Sequence, residues 1–183
     1  MNYGNPIKHI VIVGGGTAGW MAAAVLSRLK KGRALDITLI ESEEIGTVGV
    51  GEATIPPFVE FNQLLEIDER ELLSEVQGSF KLGIQFQNWG QVGDSYIHPF
   101  GAYGYHMGGI SFHQIWRRMQ QAGDKRPIQA FNLETMAAYF GKFARTEDYA
   151  QEDLPPVNYA YHLDAGRYAA FLRRYAEARG VIR

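Results

Sequence analysis

KHIVIVGGGTAG, Lys8 to Gly19, is the one stretch whose residue types and spacing call for a particular ligand. Ile10, Val11, Ile12 and Val13 form a β-branched run without alternation, the pattern of a strand buried on both faces of a parallel sheet. Gly14, Gly16 and Gly19 follow at GxGxxG spacing. The first glycine permits a sharp turn, the second lets backbone approach a pyrophosphate, and the third lets the next helix pack closely on the strand. That helix, with Ala18, Met21, Ala22, Val25, Leu26 and Leu29 at helical spacing, presents unpaired N–H groups and a positive dipole end to the anion. Lys30, Lys31 and Gly32 supply a stop. A second strand, Leu35 to Ile40, ends in Glu41, about twenty residues past the last glycine, where an acid accepts hydrogen bonds from a ribose hydroxyl pair. Strand, glycines, helix, strand and acid in that order predict a dinucleotide site.

The chain has 183 residues, 46% hydrophobic and 21% charged, enough for one soluble domain with a sizeable core. A net charge of −2 gives no reason to expect nucleic acid or an anionic membrane as partner. There is no cysteine, which excludes disulfides, thiolate metal sites and cysteine nucleophiles and fits a cytoplasmic location. No apolar run approaches the ~20 residues of a membrane span. His98, His106 and His113 match no standard metal-ligand spacing, so no metal site is expected.

Past Glu41, the segment Ser42 to Thr54 is glycine-rich and reads as a loop with unusual backbone demands. Pro56-Pro57 opens a helix with Phe58, Phe61, Leu64 and Leu65 as its apolar face. Asp68 and Glu71 have capping-box spacing for a second helix that stops at Gly78. From Phe80 the period becomes two, with Phe80, Leu82, Ile84 and Phe86 on one side of a strand and Lys81, Gly83, Gln85 and Gln87 on the other. Ser111 opens a helix, and Asn132 another with Leu133, Met136, Ala137, Phe140 and Phe143 at helical spacing, and both read as walls of a substrate region or equally as a plain helical layer. Arg145 to Pro156 reads as a polar surface connection. A last helix, capped by Asp164, carries Tyr168, Phe171, Leu172, Tyr175 and Ala176 to Gly180, and Val181-Ile182 begins a further sheet strand. A strand cut at its second residue suggests a fragment.

Three motifs in order resemble the flavin-dependent halogenases of the tryptophan halogenase family: GGGTAGW at Gly14 to Trp20, GVGEATIP at Gly49 to Pro56, and FKLGIQFQNW at Phe80 to Trp89. The segment Tyr159 to Val181 is also similar. The resemblance implies an α/β fold, a Rossmann-like FAD-binding domain of the glutathione-reductase or monooxygenase type with inserted helical substrate-region segments, incomplete here. Residues 1–183 would be the N-terminal part of one such domain: a βαβ unit over 7–41, a flavin loop over 42–57, the lysine strand and substrate-region segments over 58–158, and a return helix over 159–180. It assigns Gly14, Gly16, Thr17, Ala18, Gly19, Glu41, Val50, Gly51 and Ala53 to the cofactor. Lys81 becomes the catalytic lysine, and His98 and Phe100 are candidates to sandwich an aromatic substrate.

The chemistry implied is halogenation of an electron-rich aromatic, indole- or tryptophan-like, using FAD as FADH2, O2 and chloride or bromide. Hypohalous acid would be delivered to the lysine. A separate NAD(P)H flavin reductase is the implied partner. The family's WxWxIP signature, the glutamate paired with the lysine and the halide-site segment have no counterpart up to Arg183, so the 183-residue chain alone is expected to be inactive and to bind FAD weakly. Two other readings stay open: a flavin monooxygenase, which shares the glycine fingerprint, and a truncated, non-catalytic FAD-binding product.

Overall fold

The computed structural model describes residues 6–30, 32–45, 50–145 and 156–183. The strands are β1 (His9–Val13), β2 (Asp36–Ile40), β3 (Gly51–Ala53), β4 (Ser79–Lys81), β5 (Gly83–Gln87), β6 (Ser95–Pro99), β7 (Ala160–Asp164) and β8 (Val181–Ile182). The helices are α1 (Thr17–Leu29), α2 (Pro57–Leu64), α3 (Glu69–Glu75), α4 (Phe112–Gln121), α5 (Leu133–Tyr139) and α6 (Ala165–Glu177), with a 3-10 turn at Ile128–Phe131. The chain folds as two compact units: residues 1–53, 58–79 and 161–183 make the first, and residues 54–57 and 80–160 the second. Residues 46–49 of the glycine-rich loop and residues 146–155 of the polar connection lie outside the described residues. Among the described residues no helix is long and apolar enough to cross a membrane.

In the first unit β1, β2 and β8 form a parallel sheet in that order, with Ile10 opposite Ile37, Val13 opposite Ile40, and Thr38 opposite Ile182. This is one half of a doubly wound sheet, with the third strand added outside the second. Helix α1 packs against α6, and the buried residues of the two helices include the small Ala23, Ala24, Ala165, Ala169 and Ala176. Trp20, Tyr168 and Leu172 fill the remaining space. Buried hydroxyls and amides are paired: the Tyr168 hydroxyl donates to Asn62 Oδ1 at 2.9 Å, Asn62 Nδ2 donates to the Phe58 carbonyl at 2.7 Å, and Tyr175 donates to the Leu65 carbonyl at 2.7 Å. These bonds tie α2 to α6. Burial pushes the Tyr168 phenol far up from its ordinary range, the hydrogen bond to Asn62 working against that. The caps fall where the sequence put them, with Asp68 accepting from Glu71 N at 2.9 Å and Asp164 from Arg167 N at 2.8 Å.

Three expectations for this unit change. The run Ile10 to Val13 is not buried on both faces: Ile10 and Ile12 are half-buried, while Val11 is 59% and Val13 82% exposed. With Ile40 and Ile182 they form a sheet face on which nothing packs among the described residues. The glycine-rich segment is not all loop, since Gly51–Ala53 forms β3 and pairs antiparallel with β7, Glu52 opposite Leu163. Helix α2 is also rotated from the expected face. Val59 and Asn62 are buried and Leu64 is exposed, while Leu65 is buried as expected.

In the second unit β5 and β6 form an antiparallel ribbon, Gly83 opposite Pro99 and Gln87 opposite Ser95. The single strand expected from Phe80 onward is broken at Leu82, because Lys81 and Leu82 are both buried in succession and the alternation cannot run through them. Phe80 stacks on Phe143 with ring centroids 3.8 Å apart, and Tyr159 meets Phe80 edge-on at 5.5 Å. Helix α5 is turned as well. Glu134 and Thr135 face inward, at 3% and 0% exposure, whereas Leu133, Tyr139 and Phe140 face outward.

These burials set a stability contrast. Leu172→Ala should cost about 2–5 kcal/mol through lost transfer energy and the cavity left behind, while Phe140→Ala, on the outward face of its segment, should stay within about 0.5 kcal/mol. Urea unfolding of both variants checks this.

Candidate functional site

The glycine turn is shaped by contacts that exclude side chains. Gly14 has φ +116°, in the region that L-residues avoid, and its N–H donates to the Ile40 carbonyl at 2.8 Å, which fixes the turn to the end of β2. A Cβ on Gly19 would overlap the Gly14 carbonyl oxygen, so α1 can start this close to β1 only with glycine there. Gly15, which the GxGxxG spacing does not require, is equally constrained, because a Cβ would overlap the Glu41 carboxylate. At Gly14 and Gly16 the space a Cβ would occupy is open to 4 Å. Helix α1 has no acidic residue in its first turn and no side chain capping its N–H groups, so Thr17 and Ala18 begin it with donors free for an anion.

Glu41 leaves the end of β2 and faces this turn. Trp20 Nε1 donates to its Oε2 at 3.3 Å, and its Oε1 is held by Arg183 Nε at 2.5 Å and by Arg173 Nη1 at 3.6 Å. A carboxylate offers about four acceptor positions. Trp20 takes one of the two on Oε2 and leaves the other. Trp20 closes the GGGTAGW motif, whereas Arg173 and Arg183 carry no signal in the sequence, because their separation from Glu41 along the chain is long. Val50 is exposed, its carbonyl accepting from Ala165 N at 3.2 Å, and Gly51 and Ala53 lie in β3.

In the second unit Lys81 is 6% exposed. Its Nζ donates to the Thr54 carbonyl at 2.8 Å and lies 5.2 Å from the centroid of the Phe100 ring. Thr54 belongs to the GVGEATIP stretch and Lys81 to FKLGIQFQNW, so residues of two motifs separated by 27 positions meet at one amine. Burial lowers the Lys81 pKa from its ordinary 10.5. The ring face of Phe100 and the carbonyl both favour a positive or hydrogen-bond-donating nitrogen. Phe100 is placed by its own N–H, which donates to the Leu82 carbonyl at 3.0 Å and extends the β5–β6 ladder. His98 differs from it, standing exposed on β6 opposite Ile84. Among the described residues no group of three or more His, Cys, Asp or Glu could hold a metal ion.

A parallel strand–glycine turn–helix–strand unit with an acid closing its second strand defines a Rossmann-like α/β protein, and a buried lysine accompanies it on the same chain. The chain belongs to the tryptophan halogenase family, whose model matches residues 9–183. It is 36% identical over 191 residues to the tryptophan 7-halogenase RebH of Lentzea aerocolonigenes, covering 97% of this chain and 35% of that protein. It is 35% identical over 196 residues to the 7-chloro-L-tryptophan 6-halogenase KtzR of a Kutzneria strain, covering 94% of this chain and 36% of that protein. Among solved structures it resembles Xcc4156, a flavin-dependent halogenase from Xanthomonas campestris, with TM-score 0.89 and 50% identity over 98% of this chain and 35% of that one. BrvH, a flavin-dependent halogenase from Brevundimonas sp. BAL3, matches with TM-score 0.86 and 41% identity over 97% of this chain and 35% of that one. The chain therefore spans about a third of the length of these relatives.

The lowered Lys81 pKa has a signed consequence for stability. Above the ordinary value of 10.5 the amine is neutral in both folded and unfolded chains and has no effect on the balance. As pH falls below it the unfolded chain takes up the proton first, so the folded state loses ground until pH passes the lowered value, and the deficit is constant below that. Lys81→Met lacks this deficit. Its stability relative to the unmodified chain should rise as pH falls from 10.5 to the lowered value and be flat below, as read by urea unfolding across pH.

Proposed function

We propose that this chain is the cofactor-binding and lysine-bearing part of an FAD-dependent halogenase acting on an electron-rich aromatic of the indole or tryptophan type. The observation that carries the reading is the Lys81 amine, withdrawn from water and held between a carbonyl of the second motif and the Phe100 ring. The open, glycine-lined turn fits a pyrophosphate, with Gly16 admitting close backbone approach, the first N–H groups of α1 facing the anion, and the remaining acceptor on Glu41 Oε2 available to a ribose hydroxyl. Thr17, Ala18 and Gly19 belong to that cradle, and Val50, Gly51 and Ala53 are assigned to the isoalloxazine side. Bound FADH2 would supply the electrons that activate O2, and O2 so activated would be the oxidant that turns chloride or bromide into hypohalous acid.

Lys81 then has one of two tasks. As an ammonium it donates a hydrogen bond to hypohalous acid and polarises it. As a free amine, which burial favours, it forms an N–halogen bond with loss of water and returns to the amine when the ring carbon takes the halogen. Either task makes the halogen electrophilic at a fixed place, and the absence of competing water is what burial contributes. Phe100 stands within reach of that place, and His98, on the same ribbon, is the second aromatic assigned to the substrate. The electrons for FADH2 would come from a separate NAD(P)H flavin reductase.

In a chain completed to the length of its relatives, Lys81→Ala should abolish halogenated product, by at least about a hundredfold, while FADH2 oxidation continues. Chromatography of an indole incubated with FADH2, O2 and bromide reads this. Retained halogenation would overturn the role of Lys81, and an oxygenated product in place of a halogenated one would favour monooxygenase chemistry. The same incubation with residues 1–183 alone should give no brominated indole.

A further inference from the structure

The second unit contains a cavity of about 360 Å³ that neither Lys81 nor Phe100 lines. Its walls include Tyr105, Phe131, Leu133 and Pro156, with His106 among the lining residues, and one carboxylate, Glu134. Glu134 is 3% exposed. Its Oε1 accepts from Asn158 N at 3.0 Å and its Oε2 from Asn132 Nδ2 at 3.2 Å. Asn132 is itself anchored, Nδ2 donating also to the Ala102 carbonyl at 2.9 Å and Oδ1 accepting from Thr135 N at 2.6 Å. Gly101 lies so close that a Cβ there would overlap the carboxylate.

The side chain is thus held rigidly at the cavity wall, and each oxygen still has an acceptor position beyond the one in use. Two neutral N–H donors orient a carboxylate but do not cancel its charge, and among the described residues no Lys, Arg or His nitrogen forms an ion pair with it. A buried charge without a counter-charge is costly. Arg126, which stacks on the lining residue Phe131 at 4.7 Å, is already matched by Asp124 at 2.6 Å. The cavity volume lies within the range of small-molecule sites, and its wall combines aromatic and aliphatic surface with one oriented anion.

We propose that this cavity binds a small organic ammonium with an apolar body, an arylalkylamine, its ammonium on the Glu134 carboxylate and its ring against Phe131 and Leu133. The aromatic ring of Tyr105 adds a face that a cation prefers. The proposal requires neither flavin nor Lys81, so it stands or falls apart from the halogenase reading.

Calorimetric titration of the 183-residue chain with 2-phenylethylamine, 2-phenylethanol and 3-phenylpropionate tests it. The amine should bind at least about tenfold more tightly than the alcohol, and the carboxylate should not bind. Glu134→Gln, which keeps the shape and removes the charge while leaving one of the two acceptor oxygens, should bring amine and alcohol to within about twofold of each other. Equal binding of amine and alcohol by the unmodified chain would overturn the proposal. So would an equal loss for both ligands in the variant, which is what a purely structural link between Asn132 and Asn158 gives. Should the variant fail to fold, transferred NOEs from the ring protons of 2-phenylethylamine to the Leu133 methyls of the unmodified chain decide it. Their presence supports the site and their absence refutes it.

Discussion

Taking an amine out of water costs free energy that a fixed partner must offset, and the second unit is arranged around the partner that Lys81 has. The Thr54 carbonyl accepts its hydrogen bond and the Phe100 ring offers a negative face, and both depend on where backbone can be placed. Phe100 is held because the β5–β6 ladder runs one bond past Pro99 to Leu82. Leu82, buried beside Lys81, is where the chain leaves β4 for β5. Had the alternation continued unbroken through Leu82, the residues next to it would have shared one environment, and the amine would have stood with the exposed Gln85 and Gln87.

The first unit solves a different problem, the approach of a helix to a strand close enough to leave a turn of bare backbone. Glycine at Gly19 and Gly15 removes the atoms that would collide with the Gly14 carbonyl and with Glu41, and buried alanines of α1 and α6 let the helix layer settle. Glu41 is then surrounded by Trp20, Arg173 and Arg183, brought from α1, α6 and the end of β8. Its position is set by these donors before any ligand arrives. The acid that a ribose would need is already oriented.

Much of this was legible in the residues. The glycine spacing, the caps at Asp68 and Asp164, the acid at Glu41 and the pairing of Val181-Ile182 with the sheet are local or periodic signals, and they are found where the sequence put them. The failures share one cause. Val11 and Val13 read as interior because β-branched runs mark strands covered on both faces, yet burial depends on what packs there. Leu133 and Phe140 read as part of one apolar helix face from their spacing, whereas α5 turns Glu134 and Thr135 inward. Hydrophobic periodicity gives a helix its face only when polar residues have no better use inside, and Glu134 has one in Asn132 and Asn158.

The order of residues alone thus determined which segments become strand, turn and helix in the β1–α1–β2 unit, because backbone sterics and capping act within a few residues. Only the tertiary structure decided that Lys81 is buried, that it meets Thr54 rather than solvent, that His98 is exposed while Phe100 is not, and that a carboxylate with no ion-pair partner among the described residues lines a cavity. Each of those outcomes is set by contacts between residues far apart in the chain, where packing and desolvation outweigh any local preference.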